Sequence, residues 1–269
     1  MSTAPGLASL LAHPRARQAA RGVSDWIDLQ WSLLIEQLRA VAPRARGRLL
    51  DVGCGNKPYE HLFRPFVSEY IGVEHSATFG ETSASQAGGP DVFYDGVSLP
   101  FEDASFDTVL SVQVLEHTSE PQRLLEEMSR VLRHDGLMIL NAPFSFRLHE
   151  EPHDYFRYTP HGLRAMCEKA QLEVVEIRPQ GGFGSVIGHK LNSLLGLRLA
   201  RVQGLAQSLG KLGHEASSQS PPRFWLLPVV FPTMAVISAA ARVFDRCVAE
   251  STEALSFLVL ARKVAAPRG

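Results

Sequence analysis

The chain has 269 residues, with 27 basic and 28 acidic side chains, a formal net charge of -1 and 45% hydrophobic residues. This is an ordinary globular composition with enough residues for a substantial core, and its balanced charge gives no sign of a nucleic-acid-binding protein. The three cysteines, Cys54, Cys167 and Cys247, form no CxxC pair. Neither a disulfide framework nor a cysteine zinc site is therefore indicated, and a reducing, cytoplasmic compartment fits.

The first 23 residues contain arginine, alanine and serine but no acidic residue. They lack the long apolar core of a secretion signal, so they are predicted to be a flexible basic tail, with an organelle transit peptide as the alternative. A helix is expected next, over residues 26–41, because its apolar residues recur at helical spacing.

Strand-like and helix-like segments then alternate, which is typical of an α/β domain with a mostly parallel sheet and helices on both faces. The predicted helices cover residues 58–66, 120–133 and 160–170, and the last has Thr159 as N-cap and Pro160 at its first position. The predicted strands are 48–52, 69–74, 91–95, 106–112, 136–143, 172–179 and, after a break in the pattern, 255–262.

The break at residues 181–250 is predicted to be a helical insertion within a domain formed by residues 24–180 and 251–264, with a polar interruption at 213–223. Residues 224–241 are uncharged, which meets the lower length limit for a membrane-spanning helix. Because prolines and small residues dilute this stretch, we expect a lid, a homodimer surface or a peripheral membrane contact instead of a span.

A glycine-rich turn, in the sequence RLLDVGCGNKPYEHLF (48–63), follows the first predicted strand. Gly53 and Gly55 would lie at the carboxyl end of that strand, where ligands bind in doubly wound sheets. The segment lacks the GxxxxGK[ST] pattern of a P-loop, and Pro58 stands where a dinucleotide fingerprint needs its third glycine. An acid, Glu74, follows about 20 residues later, at the distance of a ribose-binding carboxylate. The residues favour an adenosine ligand without phosphates.

Taken in order, these motifs resemble the class I S-adenosylmethionine-dependent methyltransferases, the group that includes small-molecule, sugar and lipid methyltransferases. The resemblance rests on DVGCGNKPY, YIGVEHS, YDGVSLPFEDASFDTVLSVQVLEH and EEMSRVLRHDGLMIL, between about residues 48 and 180, and on the last strand. It implies a Rossmann-like doubly wound sheet of seven strands in the order 3-2-1-4-5-7-6, with strand 7 antiparallel.

The same resemblance implies the residues that bind S-adenosyl-L-methionine. Asp51, Gly53 and Gly55 would line its methionine part, and Glu74 would bind the ribose. Asp95 would face the adenine amino group, and Gln113 would lie near the methionine end. Each polar residue also has a plainer interpretation: Asp51 could order the turn, Asp95 could be a turn residue before Gly96, and Gln113 could be solvated.

The acceptor is expected at the loop NAPFSFRLHEEPHDYFRYT (141–159), which resembles a stretch found in methyltransferases encoded among surface-polysaccharide genes. The sequence SVQVLEH replaces the N/D-P-P-Y/F motif of amide and nucleobase methyltransferases, which favours O-methylation of a small-molecule, glycan or lipid-linked acceptor. Methyl transfer to a hydroxyl needs a base, for which His153 is preferred, with Asp154 orienting it or acting in its place. The predicted substrate-binding residues are His149, Tyr155, Arg157 and Tyr158.

Structural roles compete with these assignments. Asp154 and Arg157 could form an ion pair, and the loop aromatics, such as Tyr158, could simply pack. His149 and His153 lack clear further ligands, so no metal site is predicted. His117 is expected to pack beside the cofactor. For the whole protein, the alternatives are a noncatalytic S-adenosylmethionine-binding or scaffold protein and, disfavoured by Pro58, a nucleotide-dependent oxidoreductase.

Overall fold

The computed structural model describes residues 22, 24–76, 89–96, 98–199, 223–248 and 252–264. Its chain divides into two compact units, Met1–Ile35 with Gly181–Glu253 and Glu36–Gln180 with Ala254–Gly269. The predicted tail lies outside the described residues apart from Gly22, as does the predicted polar interruption apart from Arg223.

The second unit is built on a seven-stranded sheet in the order β3-β2-β1-β4-β5-β7-β6. Strand β7 pairs antiparallel with both β5 and β6, and the pairs among β1 to β5 are parallel. The predicted fold class and strand order are therefore confirmed. The strands are β1 (Arg48–Val52), β2 (Glu69–His75), β3 (Val92–Tyr94), β4 (Phe106–Val112), β5 (Leu132–Pro143), β6 (Leu172–Gln180) and β7 (Ser256–Lys263).

Helices alternate with the strands along the chain, and the fourth of those named below begins with a side-chain N-cap. The Thr159 hydroxyl accepts a hydrogen bond from the Gly162 backbone N–H at 3.0 Å, which caps the fourth helix as predicted. The helices are α1 (Leu29–Val41), α2 (Glu60–Phe63), α3 (Pro121–Val131), α4 (Pro160–Lys169), α5 (Phe183–Ser193) and α6 (Leu227–Cys247).

Two helix boundaries differ from the sequence-based expectation, each for a local reason. The helix expected over 58–66 is a single turn, α2, followed by a 3-10 turn at Arg64–Phe66 that contains Pro65. The helix expected over 120–133 ends at Val131 because Leu132 pairs with Phe106 and begins β5. Strand pairing overrides the helical pattern there.

The position of the ligand site is set by the order of the central strands. β1 lies between β2 and β4. The connection that leaves β1 therefore runs toward one edge of the sheet, and the connection that leaves β4 runs toward the other edge. Val52, the last residue of β1, pairs with Val73 on one side and with Ser111 on the other. The residues that follow these strand ends face the crevice in which doubly wound sheets bind ligands.

The first unit is organised around α5 and α6. The Asp245 carboxylate near the end of α6 accepts hydrogen bonds from the backbone N–H groups of Gly182, Gly184 and Ser185 at 2.8–3.0 Å. These groups begin α5, so the acid satisfies donors that have no partner within the helix. Asn192 on α5 donates to the Ser238 hydroxyl at 2.8 Å, which ties the two helices together.

Helix α6 is long and apolar enough to cross a membrane, judged by length and composition, and only 22% of its apolar stretch is buried. Pro232 lies inside it. Val229, Val236 and Val243, each seven residues from the next, are 57–69% exposed. Because seven residues make about two helical turns, these valines form one apolar stripe.

Candidate functional site

The turn after β1 has backbone angles that glycine adopts without strain. Gly53 has φ +72° and Gly55 has φ +51°. The backbone N–H groups of Gly53 and Cys54 both donate to the Val73 carbonyl of β2, at 2.9 and 3.2 Å. A side chain at Gly53 would place its Cβ 2.4 Å from Val114 Cγ2, so this position has room for backbone alone.

Glu74, near the end of β2, is bonded to this turn. Its Oε2 accepts the Gly55 backbone N–H at 2.8 Å, and its Oε1 accepts the His75 backbone N–H at 2.9 Å. Burial raises the pKa of this carboxyl, and the two backbone donors oppose that effect. The acid and the glycine turn, 19 residues apart, thus form one polar surface at the strand ends.

Asp51 lies within β1 and is 2% exposed. Its Oδ2 accepts a 2.6 Å hydrogen bond from the Tyr70 hydroxyl. Burial raises the pKa of Asp51 to about 7, although the Tyr70 hydrogen bond opposes this, and the charge of Glu74 adds to the rise. The Tyr70 hydrogen bond gives Asp51 a structural role between β1 and the start of β2, and its predicted contact with the cofactor stays a prediction.

The other two predicted cofactor residues lie after neighbouring strands. Asp95 is exposed directly after β3, and its Oδ1 accepts the Ser98 backbone N–H at 3.2 Å. Gln113 follows β4 with φ +57°, and its side-chain amide donates to Asn141 Oδ1 at 2.6 Å. Because this hydrogen bond holds the Gln113 side chain against β5, the side chain is not simply solvated, which was the alternative interpretation.

The loop after β5 is held by an ion pair whose carboxylate is buried. The Asp154 side chain is fully buried and accepts two hydrogen bonds from Arg157, at 2.6 and 2.8 Å, and one from the His149 backbone N–H at 3.0 Å. Burial alone would raise the pKa of Asp154, but these donors outweigh it and hold the pKa at about 2. Arg157 also donates to the carbonyls of Phe146 and Arg147. The contacts favour a structural role for both residues.

The remaining predicted loop residues differ in accessibility. His153 is exposed, and its Nδ1 lies 2.9 Å from the hydroxyl of Tyr155, which is 46% exposed. His149 is half-buried, with Nδ1 3.2 Å from the Arg147 carbonyl. Tyr158 is 6% exposed and donates to the Leu115 carbonyl at 2.8 Å. Its burial favours the packing interpretation, while its assignment to the substrate site stays a prediction.

Sequence reasoning missed Glu116, which lies in the 3-10 turn Leu115–His117 after β4. Its side chain is fully buried, and none of the other described residues donates a hydrogen bond to either carboxylate oxygen. Burial raises the pKa of Glu116 to about 8. The sequence shows only an acid beside His117 in the motif LEH, which does not reveal that its carboxylate is buried without a donor.

Comparison with known proteins agrees with this geometry. Residues 50–140 match the family model described as a methyltransferase domain. Over 94 residues the chain is 44% identical to an uncharacterized methyltransferase of Mycobacterium sp. (strain JLS), covering 35% of this chain and 37% of the relative. Over 103 residues it is 36% identical to the uncharacterized methyltransferase YcgJ of Bacillus subtilis, covering 36% and 41%. The chain thus matches less than half the length of these curated relatives.

Two solved structures share the fold at low sequence identity. The [4+2]-cyclase SpnF has a TM-score of 0.53 at 20% identity, over 87% of this chain and 80% of that one. An S-adenosylmethionine-dependent methyltransferase from Mesorhizobium loti has a TM-score of 0.50 at 14% identity, over 87% and 97%. They show the shared fold alone. The family match over residues 50–140, together with the strand order, identifies a class I S-adenosylmethionine-dependent methyltransferase domain in this chain.

The raised pKa of Asp51 predicts a pH-dependent difference between the wild type and Asp51→Asn. Because the folded-state pKa of about 7 lies above the ordinary 3.8, the contribution of Asp51 to stability is full below about pH 4 and is lost as the pH rises through 7. Asparagine does not ionise. Between pH 5 and 8 we expect the variant to gain about 2–3 kcal/mol of unfolding free energy relative to the wild type.

Urea denaturation at both pH values measures this difference, with the exposed Asp135→Asn as the matched control, expected to track the wild type. A variant whose stability relative to the wild type is the same at pH 5 and pH 8 would show that Asp51 does not titrate in the folded protein in this range.

Proposed function

We propose that this protein transfers a methyl group from S-adenosylmethionine to an oxygen of a small-molecule, glycan or lipid-linked acceptor. The observation that carries the proposal is the hydrogen bond between the Glu74 carboxylate and the Gly55 backbone N–H, which joins the acid after β2 to a glycine turn without a phosphate cradle. This combination suits a ligand with ribose hydroxyls and no phosphates.

The residues around the turn fit the cofactor chemically. Gly53 leaves a space that a Cβ would fill, and the Glu74 carboxylate can accept from both ribose hydroxyls. Asp95 would accept from the adenine amino group, and Asp51, Gly53, Gly55 and Gln113 would lie along the methionine part. The bound cofactor supplies an electrophilic methyl group on a sulfonium. The protein then has to align the acceptor with that methyl and exclude water.

On the acceptor side, we assign removal of the hydroxyl proton to His153. Its ring is exposed, and the hydroxyl of Tyr155 lies 2.9 Å from its Nδ1, where it can orient the imidazole. Asp154 is a poor substitute as base because both its oxygens are bonded to Arg157 and its pKa is about 2. We therefore give Asp154 and Arg157 the role of positioning the loop, with the exposed Tyr155 contacting the acceptor.

One observation favours a second candidate function, a noncatalytic or differently catalytic protein that keeps the S-adenosylmethionine site. The solved structure of a cyclase shares this fold, so the fold by itself does not define methyl transfer. An oxidoreductase remains disfavoured by Pro58.

We also propose that the insertion 181–250 rests on the cytoplasmic surface of a membrane, with a homodimer contact as the alternative use of the same surface. The exposed valine stripe of α6 supports this, together with Trp225, which is 75% exposed just before the helix. A tryptophan beside an apolar stripe is typical of helices that lie in the membrane interface. Such a contact would bring the protein to a lipid-linked acceptor.

Glu74→Ala tests the cofactor site. Loss of charge-assisted hydrogen bonds to the ribose, about 1.5–3 kcal/mol, should weaken S-adenosylmethionine binding by about 10- to 150-fold in calorimetry. Glu69→Ala is the matched control, since Glu69 is an exposed acid at the start of the same strand. Equal affinity for wild type and Glu74→Ala would remove Glu74 from the site.

His153→Gln tests the assigned base. Turnover with an acceptor identified by labelled-methyl screening should fall by about 100-fold, while affinity for S-adenosylmethionine stays the same. His134→Gln, an exposed histidine elsewhere in this unit, should leave both unchanged. Full turnover of His153→Gln at neutral pH would show that another group accepts the proton.

The membrane contact is tested by flotation with vesicles of phosphatidylglycerol and phosphatidylethanolamine. Replacing both Val229 and Val236 with glutamate should abolish most of the co-flotation, because charged residues would then enter the apolar region. Val175→Glu, at an exposed position on β6, is the control. Carbonate washing should release the wild type from membranes, whereas recovery only in detergent would indicate a spanning helix. Equal flotation of all variants would exclude the stripe as the contact.

A further inference from the structure

Three metal-binding side chains converge beside the loop that follows β5. Glu116, His117 and His149 each offer one ligand atom, and these atoms lie within 4.8 Å of one another. The His117 and His149 rings pack edge to face with centroids 4.7 Å apart. Glu150 is next to the group, with its Oε2 3.8 Å from His117 Nε2. His149 therefore pairs with His117 and not with His153, the partner considered from the sequence.

Both histidines use Nδ1 for a hydrogen bond, which leaves Nε2 to act as the metal ligand. His117 Nδ1 lies 2.7 Å from the His153 carbonyl oxygen, which can only accept, so Nδ1 carries the proton and Nε2 keeps a lone pair. His149 Nδ1 likewise lies 3.2 Å from the Arg147 carbonyl and 3.3 Å from Asp154 Oδ2. Metal-binding histidines typically donate their second N–H to a carbonyl or carboxylate in this way.

Glu116 supplies the independent indication of a ligand. Its side chain is fully buried, yet none of the other described residues donates a hydrogen bond to its oxygens, although burying an unpaired carboxylate is costly. His117 does not satisfy it, because Nε2 lies 3.8 Å from Oε1. The nearby charges of Asp154 and Glu150 are also negative, whereas the Glu116 backbone N–H and the Arg157 guanidinium, which is already bonded to Asp154, favour the ionised carboxylate.

We propose that Glu116, His117 and His149 bind one divalent transition-metal cation, of which Zn²⁺ is the probe of choice, with Glu150 as a fourth ligand. Two ligands that are each about 2.0–2.2 Å from zinc lie roughly 3–4 Å apart. The 3.8 Å separations of His117 Nε2 from Glu116 Oε1 and from Glu150 Oε2 have that scale. Two imidazoles with carboxylates favour zinc and its transition-metal neighbours over magnesium or calcium. This departs from the metal-free site expected from the sequence.

The test is calorimetric titration of tag-free, full-length protein with zinc chloride after chelator treatment. The wild type should bind one Zn²⁺ tightly at this site, and His149→Ala and Glu116→Gln should each weaken that binding by about 100-fold or more. Two controls should bind like the wild type: His134→Ala on the surface and His153→Ala, in which the backbone carbonyl bonded to His117 is retained. Melting temperatures without metal check that each variant is folded.

Cobalt provides a second measurement, because Co²⁺ in place of Zn²⁺ absorbs visible light in a way that depends on its ligands. The wild type should show the intense bands of a low-coordinate site, and His149→Ala should lose them. A wild type without stoichiometric Zn²⁺ binding, or variants that bind as tightly as the wild type, would overturn the proposal. Neither readout requires methyl transfer, so failure here is distinguishable from failure of the proposed activity.

Discussion

The candidate cofactor site depends on the parallel pairing of β1 with β2. That pairing sets Val52 opposite Val73 and so places the glycine turn beside Glu74. The Val73 carbonyl then accepts two backbone N–H groups of the turn, and the Glu74 carboxylate accepts a third. Backbone and acid are fixed before any ligand arrives, which limits the ordering that binding requires.

A second constraint acts on the acceptor side. The Asp154–Arg157 ion pair holds the loop after β5 through backbone groups of Phe146, Arg147 and His149. The Tyr155 backbone N–H donates to the Glu116 carbonyl at 2.8 Å, which joins this loop to the turn after β4. With the loop held by these hydrogen bonds, His153 and Tyr155 are exposed to solvent. The same hydrogen bonds bring His149 next to Glu116 and His117.

Periodicity and turn chemistry in the sequence were sufficient to predict most of the fold of the sheet-containing unit. The strand order came from the family resemblance and is confirmed. Helix ends were less predictable, since Leu132 has a helical pattern but joins β5 through its pairing with Phe106. Gly53, Gly55 and Glu74 could be predicted as cofactor-binding residues because a glycine turn followed about 20 residues later by an acid is typical of an adenosine site.

The roles of the residues on the acceptor side were harder to predict, because the sequence does not show which of its polar side chains are buried. Asp154 and His153 are adjacent in the chain, yet one is bonded on both oxygens and the other is exposed. Glu116 gives no sign in the sequence that its carboxylate is buried without a hydrogen-bond donor. Such features depend on long-range packing.

The most direct test of the central claim is thermal stability of the purified chain with S-adenosylmethionine, S-adenosylhomocysteine, NADH or buffer alone. A ligand at about 100 times its dissociation constant adds about 2.7 kcal/mol to the unfolding free energy. We predict a clear rise in melting temperature with both sulfur ligands and none with NADH. A folded protein that neither sulfur ligand stabilises, or that NADH stabilises instead, would contradict the account.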